Sequence, residues 1–201
     1  MATVPSPALP DACLDVLFRE GRTFNGYLDK TVADADLHAV WDLMKMGPTS
    51  ANQLPARMVW CTSQDARDRL ADCMTGTNGD KVRAAPVAVV IGMDTNFHEH
   101  LPTLFPHVDA KSWFDGNAEL RAVSAFRNSS LQGAYFILAA RALGLGTGPM
   151  SGFDAGLVDA AFFQDTPAVR TNFVSTLGHG DPATVHARSP RPAFELFNRI
   201  A

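Results

Sequence analysis

The sequence has few cysteines and no long hydrophobic run. Its three cysteines are Cys13, Cys61 and Cys73, an odd number without a C-x-x-C pair, so neither a disulfide framework nor a zinc knuckle is indicated. No apolar run approaches the roughly 20 residues that span a bilayer. The opening "MATVPSPALPDACLD" lacks the basic and apolar regions of a signal peptide. These absences predict a cytoplasmic protein with reduced thiols and no membrane partner.

An excess of charge of either sign is also lacking. The chain has 17 Lys and Arg against 21 Asp and Glu, a net charge of −4, which excludes a general attraction to nucleic acid. Its 46% hydrophobic content is ordinary for a globular protein. Since no repeat, low-complexity tract or linker divides the sequence, we expect one domain over residues 1–201.

Several catalytic motifs are missing. The sequence has no G-x-S-x-G elbow, no H-E-x-x-H and no Walker loop. The glycine-rich "GLGTGPMSGFD" (144–154) does not fit G-x-G-x-x-G, because Pro149 or Ser151 occupies the third glycine position. The "FHEH" segment (97–100) lies among prolines, and we interpret it as a polar loop rather than a metal site. No metal is predicted.

Hydrophobic patterning predicts the secondary structure. The apolar, β-branched "PVAVVIGM" (86–93) is typical of a strand buried on both faces. Residues 95–116 look irregular, and 144–154 look like a turn that follows a long helix. Helices and strands mix without regular β-α-β alternation, so the class is α+β, a modest sheet flanked by long helices. The other predicted elements are helices over 10–20, 34–47, 63–74, 117–143 and from Asp154 onward, and strands over 56–62 and 171–180.

The second half of the long helix, "LQGAYFILAARAL" (131–143), is apolar almost all round. A helix of this kind must be buried on every side. It therefore lies either at the centre of the domain or against a partner chain.

Two groups of polar residues indicate ligand binding. Arginines near both ends of the chain, Arg19 and Arg22 with Arg188 and Arg191, carry the planar donor fork that suits a phosphate. Taken alone they are equally well explained as solubilising surface residues. The loop "GPTSANQLPAR" (47–57) has hydroxyl and amide side chains that can both donate and accept hydrogen bonds to a ligand. The alternative is that these residues simply form a turn.

Taken together, four segments in order resemble the nitroreductase family of FMN-dependent oxidoreductases. Each segment alone is weak evidence for the family, but four segments in the same order over nearly the whole chain are specific evidence. The resemblance implies a nitroreductase-like fold with a central, mostly antiparallel sheet, in an intertwined homodimer with FMN at the subunit interface. The segments are "RTFNGYLDKTV" (22–32), "PTSANQLPAR" (48–57), Asn78 and Lys81 before "AAPVAVVI", and "PMSGFD" (149–154).

The resemblance also implies the cofactor-binding residues. Arg22 and Thr23, with Arg188 or Arg191, would hold the FMN phosphate. Asn78 and Lys81 would contact the ribityl chain and the N1/O2 edge of the flavin, where positive charge favours the anionic reduced form. A loop from the other subunit and the turn beside the ring would complete the site; their residues are Pro48, Thr49, Ser50 and Asn52, and Pro149, Met150, Ser151 and Gly152.

The activity implied is hydride transfer from NADH or NADPH through flavin N5 to an acceptor, in a ping-pong cycle. Phrases such as "LPTLFPHVDAKSWF" and the "RSPR" tail are similar to the malonic semialdehyde reductase subgroup of the pyrimidine-ring-utilisation pathway, which implies reduction of malonic semialdehyde to 3-hydroxypropionate. A broad nitroaromatic or quinone reductase is the alternative. From another class, a flavin-binding or dimerisation protein without turnover also stays open.

A hypothesis concerns the segment 97–116. Its aromatic residues Phe105, Trp113 and Phe114 are candidates for a flap over the substrate. The alternative is a surface loop that tucks its aromatic side chains into the core.

Overall fold

A four-stranded sheet forms the centre of the fold, in a computed structural model that describes residues 8–201. The strands are β1 (Ala56–Cys61), β2 (Val87–Asp94), β3 (Gly146–Met150) and β4 (Val169–Gly178). Their order is β1-β2-β4-β3, and each neighbouring pair is antiparallel. The α+β class with an antiparallel sheet is confirmed. The domain predicted over 1–201 begins in residues 1–7, which lie outside the described range.

Helices cover both faces of the sheet. Asp154 caps its predicted helix by accepting a hydrogen bond from the Leu157 amide at 3.0 Å. Among residues 8–201 no helix combines the length and the hydropathy needed to cross a bilayer. The helices are α1 (Asp11–Leu14, continued by a π-helical segment Asp15–Arg19), α2 (Asp34–Met44), α3 (Gln64–Ala71), α4 (Asn78–Ala84), α5 (Leu101–Leu104), α6 (Ala118–Ala142), α7 (Ala155–Phe162) and α8 (Phe194–Phe197).

The central strand β2 shows why its sequence is continuously apolar. Successive side chains of a strand point to opposite faces, so a strand covered on both sides needs apolar residues at every position. Val89 packs in a cluster with residues of α2 and α6, including Phe136. Its neighbour Val90 packs on the opposite face with residues of α3, α4 and α7, including Leu70.

Two elements differ from the sequence prediction. The turn predicted over 144–154 is wrong for Gly146–Met150, which form the edge strand β3. Gly144 alone, with φ of 74°, makes the turn after α6. A Cβ on Gly146 would lie 2.5 Å from the Phe24 ring, so this glycine gives room for an aromatic ring that comes from far away in the chain. The short helix α4 was not predicted at all.

Helix α6 is buried on one face in the single chain. Phe136 and Ala140 lie in the core at 0% exposure. An apolar row on the opposite face is exposed, with Val123 at 48%, Phe126 at 54% and Leu131 at 41%. The central-helix alternative therefore does not hold for the chain by itself, and the alternative of a partner chain stays open.

Tyr27 joins the N-terminal segment to β4. Its hydroxyl lies 2.6 Å from Oγ1 of Thr176, and its ring packs where a Cβ on Gly178 would stand. Burial raises the pKa of Tyr27 to about 12. The folded chain thus keeps this proton at a pH where an unfolded chain loses it.

We expect Tyr27→Phe to reduce the loss of stability at alkaline pH. Because the folded pKa exceeds the unfolded value of about 10, the stabilisation is complete below about pH 10 and is lost as the pH rises towards about 12, by about 2 to 3 kcal/mol. Urea unfolding at about pH 8 and about pH 11 measures about half of this loss, about 1.4 kcal/mol, because pH 11 lies midway between the two pKa values. Tyr135→Phe is the control, and this variant should lose as much stability at alkaline pH as the wild type. Equal pH slopes for wild type and Tyr27→Phe would contradict the assignment.

Candidate functional site

A pocket of about 320 Å³ brings together residues from the two ends of the chain. It is lined by Arg22 and Thr23 from the N-terminal segment and by Arg188 and Arg191 from the C-terminal tail. For one phosphate, the sequence resemblance implies Arg22 and Thr23 with either Arg188 or Arg191. The structure places them around a single cavity.

Hydrogen bonds to the start of the tail explain this convergence. Arg22 donates through Nη2 to the carbonyl of His186. Asn25 donates through Nδ2 to the carbonyl of Thr184 at 3.1 Å, and the Gly26 amide donates to the Thr184 hydroxyl at 3.1 Å. The tail therefore leaves the sheet directly beside the N-terminal segment, and Arg188 and Arg191 of the tail line the pocket.

A further arginine, Arg141, lines the same pocket and is not among the residues predicted from the sequence. It lies in the last turn of α6, and its Nη1 donates to the Leu17 carbonyl at 2.7 Å. A Cβ on Gly21 would stand 2.5 Å from that Nη1, so the guanidinium lies directly against this glycine. The sequence signal that could have indicated Arg141 is a basic residue in the last turn of a long apolar helix.

The electrostatics of the pocket favour an anion. Burial, and then the nearby charge of Arg188, lower the pKa of Arg141. The buried Nε of Arg141 has no hydrogen-bond partner among residues 8–201. Within the same range, the four arginines of the pocket make one ion pair, between Arg188 and the exposed Glu20 at 3.9 Å. Most of the positive charge of the pocket is thus without a counter-charge.

Strand β3 connects the arginine pocket to the turn at 151–153. Thr23 forms a bridge with Thr147 near the start of β3, and the Phe24 amide donates to the Thr147 carbonyl at 3.1 Å. Pro149 and Met150 end the strand, and the next residue is Ser151. Since an extended chain rises about 3.3 Å per residue, the pocket and the turn lie about 13 Å apart along the strand.

Asn78 lies at that turn. Its Nδ2 donates to the Gly152 carbonyl at 3.2 Å, and the Thr75 amide donates to the same oxygen at 3.0 Å. A Cβ on Gly152 would stand 2.6 Å from the Asn78 amide nitrogen, so glycine is required for this contact. Lys81 follows three residues after Asn78, on the same face of α4. The third and fourth segments of the sequence resemblance, Asn78 with Lys81 and 149–154, thus meet at one end of β3.

The loop before β1, which contains Pro48, Thr49, Ser50 and Asn52, has three residues in an unusual backbone conformation. Ala51 has φ of 50°, Asn52 of 49° and Leu54 of 40°, all in the left-handed region. Residues with a side chain pay roughly 1 to 2 kcal/mol for this conformation, apart from Asn, which tolerates it better. Backbone strain of this kind persists only where the surroundings hold it, and it is common at ligand-binding sites.

Gln53 and helix α6 hold the loop. Gln53 is fully buried, and its Nε2 donates to the Ser50 carbonyl at 3.0 Å and to the Ser124 hydroxyl at 3.1 Å. The Ser50 amide donates to Oδ1 of Asn128 at 2.9 Å. Ser124 and Asn128 come from successive turns of α6, so the long helix fixes the loop. The sequence motif contained Gln53, but its supporting role was not predicted.

We expect Gln53→Met to lower the free energy of unfolding by about 2 kcal/mol, because it leaves buried polar groups of the loop and α6 without partners. Urea denaturation measures this loss. Gln64→Met is the matched control, since Gln64 is exposed and its change should stay within about 0.5 kcal/mol. Equal stabilities for the two variants would show that Gln53 does not support the loop.

The segment 97–116 contacts the loop through Asn52, whose Nδ2 donates to the Leu104 carbonyl at 2.8 Å. Phe114 is buried, with its ring centroid 4.9 Å from that of Phe97, and it forms part of the core of this segment. Phe105 and Trp113 pack edge to face at 6.2 Å, and Trp113 is 54% exposed. Trp113 is therefore the member of the predicted flap that lies at the surface, while Phe105 is partly buried against the core of this segment.

Comparisons with known proteins agree with this geometry. A family model described as "Nitroreductase family" matches residues 22–170. A Burkholderia lata protein with the provisional name NADH dehydrogenase/NAD(P)H nitroreductase is 58% identical over 192 residues, which cover 96% of this chain and 98% of that protein.

Two solved structures share the fold. A provisionally named nitroreductase from Bacillus subtilis has a TM-score of 0.85 at 20% identity, covering 96% of this chain and 100% of that one. A provisionally named nitroreductase from Exiguobacterium sibiricum, solved in complex with FMN, has a TM-score of 0.83 at 16% identity, covering 98% and 100%. This chain belongs to the nitroreductase family, because the family model matches residues 22–170 and a relative that is 58% identical covers 96% of the chain.

Proposed function

We propose that this protein is an FMN-dependent NAD(P)H oxidoreductase. The observation that carries the proposal is the convergence of Arg22, Thr23, Arg188 and Arg191 on one pocket. When bound, FMN supplies the hydride chemistry, and the protein contributes binding, orientation and charge. The Burkholderia lata relative, named as an NAD(P)H enzyme, supports a nicotinamide donor.

The residues present fit FMN. A phosphate monoester carries the negative charge that the pocket lacks, and it offers acceptor oxygens to the guanidinium groups of the arginines that line the pocket. The turn with Asn78 and Gly152 lies about 13 Å further along β3, a span that suits a ligand with a phosphate at one end and a flat ring at the other. The neighbouring Lys81 ammonium would stabilise negative charge on the reduced ring.

The length of α6 supports a homodimer. Asn128, which holds the loop 48–54, and Arg141, which lines the arginine pocket, are 13 positions apart on the helix, or about 20 Å. The loop of one chain therefore lies far from that chain's own pocket. If two α6 helices pair antiparallel about a twofold axis, the loop of each chain approaches the pocket of the other. In such a pair the exposed apolar row with Val123, Phe126 and Leu131 would face the C-terminal half of the partner helix, where Leu143 is also exposed.

For the acceptor, we propose malonic semialdehyde, reduced to 3-hydroxypropionate. Support comes from the likeness of the segment 101–114, "LPTLFPHVDAKSWF", to the malonic semialdehyde reductase subgroup. The exposed Trp113 and the partly buried Phe105 that packs against it would contact the substrate, while the buried Phe114 would hold the segment in place. A nitroaromatic or quinone is the second candidate, favoured by the name of the Burkholderia lata relative.

An acceptor panel tests the proposal. Purified protein loaded with FMN is assayed with NADH and with NADPH against malonic semialdehyde, nitrofurazone and menadione. A kcat/KM at least about tenfold higher for malonic semialdehyde supports the first acceptor, and the reverse order supports the second. Reduction of the bound flavin by neither nicotinamide would contradict the oxidoreductase proposal and leave a flavin-binding protein without turnover.

A further inference from the structure

Arg141 is the one arginine of the pocket that the sequence resemblance does not assign. It comes from the C-terminal turn of the long helix, and it enters the pocket beneath Gly21. The geometry points to Arg141 as a phosphate-binding residue, whose guanidinium contacts the phosphomonoester group of FMN together with Arg22 and the tail arginines. This inference rests on the proposed function.

The position of Arg141 is costly without an anion. A half-buried guanidinium loses hydration, and the neighbouring charge of Arg188 repels it. The C-terminal end of α6 and the Leu17 carbonyl offset part of this cost, since both attract a cation. They leave Nε without a partner among residues 8–201. A doubly charged phosphate in the pocket would neutralise the repulsion between the arginines that line it.

Gly21 is the second observation that favours a binding role. A Cβ at this position would lie 2.5 Å from Nη1 and 2.6 Å from Cζ of Arg141. Gly21 directly precedes Arg22, so the small residue lets one guanidinium come close to the backbone that carries another. The close approach concentrates positive charge in a pocket of about 320 Å³, which suits a compact anion.

A purely structural role is the alternative. Arg141 tethers the π-helical segment through the Leu17 carbonyl, and loss of that tether would loosen the whole N-terminal segment. A structural defect would weaken every flavin to the same extent. A phosphate contact, by contrast, distinguishes FMN from riboflavin, which has the same ring and ribityl chain without the phosphate.

The experiment compares dissociation constants of the full-length, flavin-free chain for FMN and for riboflavin, measured by quenching of flavin fluorescence. The variants are Arg141→Met and Gly21→Ala, with Arg69→Met as the control because Arg69 is an exposed arginine on α3, far from the pocket lining. We expect Arg141→Met to weaken FMN roughly tenfold to a hundredfold and riboflavin less than about threefold. Gly21→Ala should reduce the preference for FMN over riboflavin in the same way but by less, since it displaces the Arg141 guanidinium without removing it.

The possible outcomes separate the inference from the proposed function. If the wild type prefers FMN to riboflavin and both Arg141→Met and Gly21→Ala keep that preference, or if they weaken the two flavins equally, the role of Arg141 is wrong while the proposed function stands. If the wild type binds neither flavin, the proposed function itself fails. Should Arg141→Met not fold, Gly21→Ala decides the question, because its Cβ meets only the far end of a flexible side chain.

Discussion

Replacing Phe126 with aspartate is expected to convert the protein into a colourless monomer. Phe126 is 54% exposed in the single chain and lies in the middle of the apolar row of α6 that we propose as the dimer surface. A carboxylate buried in an apolar interface costs several kcal/mol, so the dimer dissociation constant should rise at least about a thousandfold. The FMN should be lost at the same time, because the loop 48–54 of the partner no longer completes the site.

Sedimentation velocity, recorded at the protein and flavin absorbance bands, measures both effects. Leu157→Asp is the matched control, since Leu157 is also 54% exposed but lies on α7. The control should stay dimeric and yellow. A Phe126→Asp protein that remains a dimer with its flavin would show that the exposed row of α6 is not the interface.

The second large effect is expected from the double variant Arg22→Met, Arg188→Met. Each guanidinium would give the phosphate charge-assisted hydrogen bonds worth about 1.5 to 3 kcal/mol, so FMN affinity should fall roughly a hundredfold to ten-thousandfold. Riboflavin affinity should change little, because both side chains line the arginine pocket at a distance from the turn beside Asn78. Fluorescence titration with the two flavins gives the comparison.

The control for the double variant is a second pair of exposed arginines, Arg69 and Arg170, both changed to methionine. These residues lie outside the arginine pocket, and their loss should leave the FMN dissociation constant within about threefold of wild type. An unchanged FMN affinity in Arg22→Met, Arg188→Met would place the phosphate elsewhere.

The parts of the fold that were predictable are those in which local sequence and tertiary environment agree. Strand β2 is covered on both faces, so its residues are uniformly apolar, and α6 is long enough for its periodicity to be clear. Strand β3 was mistaken for a turn because its glycines resemble loop residues. Gly146 and Gly148 are glycine because Phe24 and Thr176 fill the space beside them, and a sequence does not reveal such distant neighbours.

The site divides in the same way. The order of the segments indicated that Arg22 and the tail arginines meet, and the hydrogen bonds between residues 22–26 and 184–186 explain how. Arg141 could not be found by that route, since its place in the pocket depends on where a 25-residue helix ends. The left-handed conformation of Ala51 was equally hidden, because alanine seldom adopts it and Gln53 enforces it from within the core.

Native mass spectrometry of the purified protein, incubated with FMN and freed of excess, tests most directly whether two chains together hold the flavin. We expect a single species of twice the 21.6 kDa chain mass, with one FMN for each chain. A flavin-free dimer, or a single chain of 21.6 kDa that retains FMN, would contradict a cofactor site shared between two copies of this protein.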